Sequence, residues 1–331
     1  MKEVLNKLFE HQHLSRQEAS QVLRNIAEGH YNEAQITAFM TVYLMRPISV
    51  EELGGFRDAL LDLSVKVDLS EFNTIDLCGT GGDGKNTFNI STLTSFVVAG
   101  AGQKVAKHGN YGVSSASGSS NMLEYLGYKF SNDQDVLKRQ LSEAGICFLH
   151  APLFHPAMKV VAPIRRSLGI KTFFNMLGPL VNPSRPQNQL VGVYSLEVAR
   201  AYNYMLQQSE VNYGVVFSLD GYDEVSLTGA FKLINKHQER LINPEELGLN
   251  TIVPEAIFGG DSVEEAAKIF VKILKGEGTQ AQNDVVLTNA ALALQTVNKT
   301  LGFAEAFDQA KESLMSGTAQ KTLDKLIKSS K

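Results

Sequence analysis

The sequence predicts an α/β protein with a small N-terminal helical domain and a larger domain built on a mostly parallel sheet. Three observations support this. The first 65 residues carry apolar positions at helical spacing behind repeated helix-start signals. From about residue 72, short apolar runs alternate with helical patterns, as layered α/β folds require. Two of the strand-to-helix junctions are rich in glycine and hydroxyl residues. The expected boundaries are 1–68 for the helical domain and 69–331 for the α/β domain.

In the helical domain, Ser15 with Glu18, Asn32 with Gln35, and Ser49 with Glu52 have the spacing of a capping box or a close variant. Each precedes an apolar stripe: Ala19, Val22, Leu23 and Ile26; then Ile36, Phe39, Met40, Tyr43 and Leu44; then Leu53, Phe56 and Leu60. Such stripes serve a core or a subunit interface rather than a ligand site. Pro47 separates two of the helices. In the larger domain, strands are predicted at 74–78, 103–107, 146–149, 190–194, 213–218 and 231–235. Helices are predicted near 91–100, 119–127, 133–144, 197–208, 262–275, 283–297 and 303–315. Residues near 155–180 read as short helices inserted between strands and packing back on the N-terminal helices. The final Lys- and Ser-rich residues are expected to fray.

Composition bounds the function. The net charge of −4 gives no global field for nucleic acid. Two cysteines, Cys78 and Cys147, argue against a disulfide scaffold. The charged, amphipathic start lacks a signal-peptide core, and the longest apolar stretch, around Phe96 to Ala101, is too short to span a bilayer. A soluble cytoplasmic protein with neither nucleic-acid nor membrane partner is expected. Tryptophan is absent from the chain.

Residues 76–92, Asp-Leu-Cys-Gly-Thr-Gly-Gly-Asp-Gly-Lys-Asn-Thr-Phe-Asn-Ile-Ser-Thr, are the most informative stretch. Glycine lets a backbone approach a ligand closely, and a helix start offers free N–H groups and a positive dipole end. The loop therefore reads as an anion cradle. Asp83 inside it would repel a phosphate unless a cation or a sugar hydroxyl lies between them. The near-match to a P-loop fails because Asn86 follows Lys85 where a magnesium-binding hydroxyl is needed. The dinucleotide fingerprint fails because Gln103 stands where a second strand should end in an acid. An ordinary glycine turn is the plainer alternative, but four glycines and an Asp in six residues count against it.

Residues 107–121 form a second junction: Lys107-His108-Gly109-Asn110, then five serines before a helix. A serine can simply cap that helix, but this many hydroxyls with a lysine suggest a second phosphate position. His108 has no metal-ligand spacing and reads as pocket wall. Asp223 and Glu224 follow the strand at 213–218. Alone they would be a solvated acidic turn; beside two phosphate cradles they suit a hard cation such as Mg²⁺.

Together, Gly79-Thr80-Gly81-Gly82-Asp83, Asn89-Ile90-Ser91-Thr92, Lys107-His108-Gly109-Asn110, Ser117-Gly118-Ser119, Phe174-Asn175-Met176-Leu177-Gly178-Pro179-Leu180 and Asp223-Glu224 resemble the anthranilate phosphoribosyltransferase family. The resemblance implies transfer of phosphoribosyl from its 1-diphosphate to the amine of anthranilate, in tryptophan biosynthesis. It implies an α/β domain like that of the pyrimidine nucleoside phosphorylases and a homodimer formed through the helical domains. By matching position, Gly79, Gly82, Asp83, Thr87, Asn89, Ser91 and Thr92 would hold the diphosphate and ribose. Lys107 and the serine loop, Ser115 to Ser119, would hold the rest of the donor. Ser91, Asp223 and Glu224 would hold Mg²⁺. Gly79, His108, Asn110, Arg165 and Pro179 would surround anthranilate. No side chain is assigned as nucleophile, general acid or general base. One departure stands out: Tyr111-Gly112 replaces the usual Arg-Ala, so a cation is lost beside the anionic ligands.

Two rivals remain in view. A pyrimidine nucleoside phosphorylase would share the fold but is expected to carry a different lysine–serine loop. A non-catalytic nucleic-acid binder would need a basic face and degraded metal residues.

Overall fold

The computed structural model describes residues 1–112 and 117–331. The chain begins with α1 (Lys2–Phe9), α2 (Arg16–Ala27), α3 (Glu33–Met45) and α4 (Val50–Leu63). There follow β1 (Ile75–Gly79), α5 (Ile90–Gly100), β2 (Val105–Gly109), α6 (Ser119–Tyr125), α7 (Gln134–Ala144) and β3 (Ile146–His150). Three short helices come next: α8 (Ala151–Phe154), α9 (Met158–Leu168) and α10 (Phe174–Leu177). The remainder is β4 (Asn188–Gly192), α11 (Leu196–Gln207), β5 (Asn212–Ser218), β6 (Phe231–Ile234), β7 (Glu239–Ile242), α12 (Val263–Leu274), α13 (Gln280–Val297), α14 (Phe303–Met315) and α15 (Thr318–Ser329).

The chain divides into two compact units: residues 1–66 with 151–183, and residues 67–150 with 184–331. In the helical unit, α2 through α4 each start with a complete capping box: Ser15 with Glu18, Asn32 with Gln35, and Ser49 with Glu52. The apolar stripes close a core in which Phe39, Tyr43, Phe56, Phe173 and Phe174 pack ring against ring. Here α9 packs on α2 and α3, while α10 packs on α4. Glu52 is fully buried and gathers the Arg46 guanidinium, the Tyr43 hydroxyl and the amide N–H groups of Leu14 and Ser49. Its desolvation is outweighed by these donors, which hold its carboxyl down at about 2.

The second unit is a seven-stranded sheet in the order β3-β2-β1-β4-β5-β6-β7. The first five strands run parallel and the last two antiparallel. Helix α5 is the centre of one layer, packed by α12, α13, α14 and α15. Leu93, Phe96, Val97 and Val98 of α5 are buried accordingly. The parallel registers bring Gly79, Gly192 and the end of β5 to one edge of the sheet, and the Ile75–Val105 pairing brings Gly109 to that edge too. Ligands of open α/β sheets bind along this carboxyl edge.

Two expectations need correction. The C-terminus does not fray: α15 buries Ala319, Thr322, Leu323 and Leu326 in packing against α5 and α7. The hairpin strand β7 was not expected, because Glu239, Arg240 and Leu241 are exposed and carry no alternating pattern.

Candidate active site

At the end of β1 the chain turns through Gly81, Gly82 and Gly84, with φ of 64°, 77° and 75°. A β-carbon is strained there, so glycine is required. The turn is pinned from two sides. Thr80 N–H donates to the Gly192 carbonyl at 2.9 Å, and Gly81 N–H donates to Asp223 Oδ2 at 2.6 Å. Farther on, residues 86–88 are tied to residues 257–260, with Gly259 N–H donating to the Asn86 carbonyl at 2.8 Å.

Helix α5 then begins without a capping side chain. Asn89, at its N-cap, instead donates from Nδ2 to the Ser117 carbonyl at 2.9 Å, linking the glycine loop to the serine loop. Four other helices, α2, α3, α4 and α13, close their first turns with full capping boxes. The α5 start is left open to an anion.

Asp223 and Glu224 come from the turn after β5 and fill the space that glycines leave. A β-carbon at Gly79 would lie 2.1 Å from Asp223 Oδ2, and one at Gly192 would lie 1.5 Å from the Asp223 carbonyl oxygen. Thr87 Oγ1 donates to Glu224 Oε1 at 2.7 Å. Asn289 of α13 fixes the turn by bonding both the N–H and the C=O of Val225. Lys85 lies over the Tyr222 ring, its nitrogen 4.5 Å from the centroid.

The electrostatics show a surplus of negative charge. Burial, then the neighbouring charge of Asp223, pushes Asp83 up to about 6. Burial and Asp223 likewise push Glu224 well above the usual carboxylate range. Lys107 is buried, with Nζ donating to the Leu77 carbonyl and to Ser91 Oγ at 3.4 Å. Its burial lowers its pKa, opposed by Asp76 and Glu224. Ser91, Asp223 and Glu224 line one cavity of about 20 Å³.

The comparisons with known proteins agree with this geometry. Residues 2–64 match the family described as "Glycosyl transferase family, helical bundle domain", and residues 71–320 match "Glycosyl transferase family, a/b domain". The chain is 60% identical over 326 residues to the anthranilate phosphoribosyltransferase of Flavobacterium johnsoniae, covering 98% of both chains.

The chain belongs to the anthranilate phosphoribosyltransferase family.

Solved structures of anthranilate phosphoribosyltransferases have the same fold. That of the Thermus thermophilus enzyme superposes with a TM-score of 0.91 at 32% identity, covering 98% of both chains. That of the Saccharomyces cerevisiae enzyme, in complex with phosphoribosyl diphosphate and Mg, gives 0.90 at 29% identity, covering 98% of this chain and 96% of the other.

The donor-side residues expected from the anthranilate phosphoribosyltransferase resemblance gather on the sheet edge of the α/β unit. Gly79, Gly82, Asp83, Thr87, Asn89, Ser91 and Thr92 lie on one continuous segment from β1 into α5. Ser119 opens α6, its Oγ 3.4 Å from the Asn110 carbonyl that it donates to. With only seven residues, α6 has a short dipole. Ser115 lies outside the described residues. Gly109 has a specific requirement: a β-carbon there would lie 2.3 Å from Ser119 Oγ. His108 is buried, and its backbone N–H donates to Asp76 Oδ1 at 3.1 Å. Asn110 is exposed, its Oδ1 accepting from Tyr111 N–H at 2.8 Å.

Arg165 and Pro179 belong to the helical unit. The sequence offered no physical basis for choosing Arg165 over Arg166; the two differ in their surroundings. Arg166 is exposed, whereas Arg165 is partly buried, donates from Nη2 to Asn175 Oδ1 at 3.1 Å and lies 5.6 Å from the Phe174 ring centroid. Burial lowers its pKa, and no carboxylate opposes that. Sequence reading gave no role to Asn175, Asn289 or Tyr222. A lone Asn inside the apolar run of α13 was the one available sign of Asn289.

Proposed function

We propose that the protein transfers the phosphoribosyl group of 5-phosphoribosyl 1-diphosphate to the amine of anthranilate, forming N-(5-phosphoribosyl)anthranilate and pyrophosphate for tryptophan biosynthesis. The observation that carries this reading is the placement of Asp223 and Glu224 against the glycine loop and the open start of α5. An anion cradle facing two carboxylates is repulsive by itself, but it is consistent for a ligand that brings phosphates and a divalent cation together.

The donor set fits Mg²⁺. Ser91, Asp223 and Glu224 offer oxygen atoms that line one cavity, and burial together with the Asp223 charge raises the pKa of Asp83 and of Glu224, a repulsion that a bound cation would relieve. Among the described residues no group of three His, Cys, Asp or Glu side chains forms a closed metal cage. Mg²⁺ sites built with substrate phosphates need only one or two carboxylates. When bound, the ion neutralises charge building on the departing diphosphate.

The chain's own groups do the rest. The amides of the glycine loop and of the first turn of α5 stabilise the same charge by preorganised donation. Thr87 orients Glu224 through its hydroxyl. Lys107, held by the Leu77 carbonyl, sets a buried positive potential beside Ser91. Ser119 and the serine loop hold the ribose phosphate. Within the helical unit, Arg165 offers the anthranilate carboxylate a planar fork of donors and Pro179 an apolar surface; within the α/β unit, Gly79, His108 and Asn110 are the residues assigned to the acceptor. The aryl amine attacks the anomeric carbon with its own lone pair as the C–O bond to the diphosphate breaks, so no strong base is needed before attack; the proton that the nitrogen then sheds passes to the departing pyrophosphate or to water. Attack with a single displacement inverts the anomeric carbon.

The protein acts as a homodimer through the helical unit, whose Phe9, Leu44 and Met45 expose apolar surface. Cys78 and Cys147 are free thiols, as suits a reducing cytoplasm. Among the described residues no helix is long and apolar enough to cross a membrane.

The test is loss of anthranilate fluorescence on mixing with phosphoribosyl diphosphate and Mg²⁺. Product formation that requires all three components supports the reading. Phosphorolysis of thymidine or uridine without that reaction overturns it.

A further inference from the structure

We propose that Thr94 is a positioning residue of the cation site, its hydroxyl holding one water of the ion's hydration shell in the cavity that Ser91, Asp223 and Glu224 line. The inference rests on the reading that these residues hold a divalent cation, and three observations carry it.

First, Thr94 is 1% exposed, and its Oγ1 has no hydrogen-bond partner within the protein. A buried hydroxyl left unpaired costs free energy, so such an atom calls for an explanation. Second, a threonine inside a helix can satisfy itself by donating to the carbonyl four residues back. Thr41, Thr288, Thr296 and Thr322 all do so, and Ser95 beside Thr94 does the same to Ser91. Thr94 does not, which leaves its hydroxyl available to a ligand. Third, Thr94 follows Ser91 by three residues and so shares its face of α5. Both line the same cavity as Asp223 and Glu224. About 20 Å³ is enough for a single water-sized occupant, and the polar groups around it supply the partners such an occupant needs. Mg²⁺ gives up its waters reluctantly and keeps several of them, so a protein hydroxyl reaching a retained water is the expected contact.

The test uses the full chain with phosphoribosyl diphosphate and Mn²⁺ as the probe metal. Thr94→Val removes the hydroxyl at nearly constant volume, and Thr94→Ser keeps it. Loss of one bridging hydrogen bond weakens binding by about three- to tenfold. The expected result is a weakening of that size in the calorimetric Mn²⁺ dissociation constant for Thr94→Val. Thr94→Ser should stay within about twofold of the unaltered chain. The metal-free Thr94→Val protein should melt no lower than the unaltered chain, because it loses an unsatisfied group. A purely structural role predicts the opposite: a lowered melting temperature with unchanged Mn²⁺ affinity. That outcome overturns the proposal, as does normal binding with normal melting. If Thr94→Val does not fold, Thr94→Ala against Thr94→Ser gives the same comparison. Failure of the unaltered chain to bind Mn²⁺ with the donor present removes the underlying metal reading itself, which normal binding by the variants would leave standing.

Discussion

Gly79→Ala separates placement of Asp223 from stability of the fold. The added β-carbon would lie 2.1 Å from Asp223 Oδ2 and 2.7 Å from its Cγ. The nearest obstacle is the end of a short side chain, so the carboxylate retreats by about 1 Å, while the Asp223 carbonyl oxygen, 3.0 Å from the added carbon, gives by only a few tenths of an ångström. The carboxylate then leaves the Gly81 N–H, which it accepts from at 2.6 Å. A shift of about 1 Å in a positioning group can cost about 100-fold in rate, or about 2.7 kcal/mol of transition-state stabilisation. Initial rates across an Mg²⁺ titration should show that loss together with a raised metal requirement, while the melting temperature changes little. Gly192→Ala is the control. Its β-carbon meets the Asp223 carbonyl oxygen at 1.5 Å, and backbone cannot step aside, so this variant loses stability first. If Gly79→Ala keeps its rate and metal dependence within about twofold, the position of the Asp223 carboxylate does not govern the reaction.

Other consequences are open to measurement. Asp83, at about 6 in the metal-free protein, must be ionised to face a cation, so metal affinity should fall roughly tenfold between pH 7 and pH 5, with proton uptake as metal leaves; a flat calorimetric profile would remove Asp83 from the site. Because its folded value of about 6 lies above the ordinary 3.8, the metal-free protein should gain stability from this group as pH falls from about 6 toward 3.8. Arg165→Ala should raise KM for anthranilate by about ten- to 100-fold with little effect on that of the donor, and Asn175→Asp should act in the same direction by pairing with the guanidinium; equal effects on both substrates would exclude the assigned role. Glu52→Ala strands the nearly buried Arg46 side chain and breaks several bonds at once, so chemical denaturation should show a loss of about 3–5 kcal/mol. The same depressed carboxyl, at about 2, contributes stability above its unfolded value near 4.5 that disappears as pH falls toward 2.

What could be read from sequence alone was mostly local. The capping boxes at Ser15, Asn32 and Ser49 are set by residues three positions apart, and all three form. The five parallel strands were found within about two residues because parallel strands buried on both faces read as apolar runs. The missed helix, α15, earns its order from burial against α5 and α7, which its Lys- and Ser-rich sequence does not announce. The glycine loop read as a cradle from its own residues, yet its geometry depends on Asp223, 142 residues from Gly81. Lys107 read as a cation at a strand end, but not as one whose side chain is buried and bonded to the Leu77 carbonyl and Ser91 Oγ. Thr87 was expected on the donor; its hydroxyl is engaged by Glu224. Thr94 gave no sign in the sequence, since only the cavity makes its unpaired hydroxyl visible.

The most direct measurement is anomalous diffraction from crystals of the full chain grown with phosphoribosyl diphosphate and Mn²⁺. The predicted result is a metal peak within coordination distance of Glu224 and Ser91, with the diphosphate against residues 79–84. Clear donor density lying away from that loop, or a metal bound nowhere near those two side chains, would contradict the account.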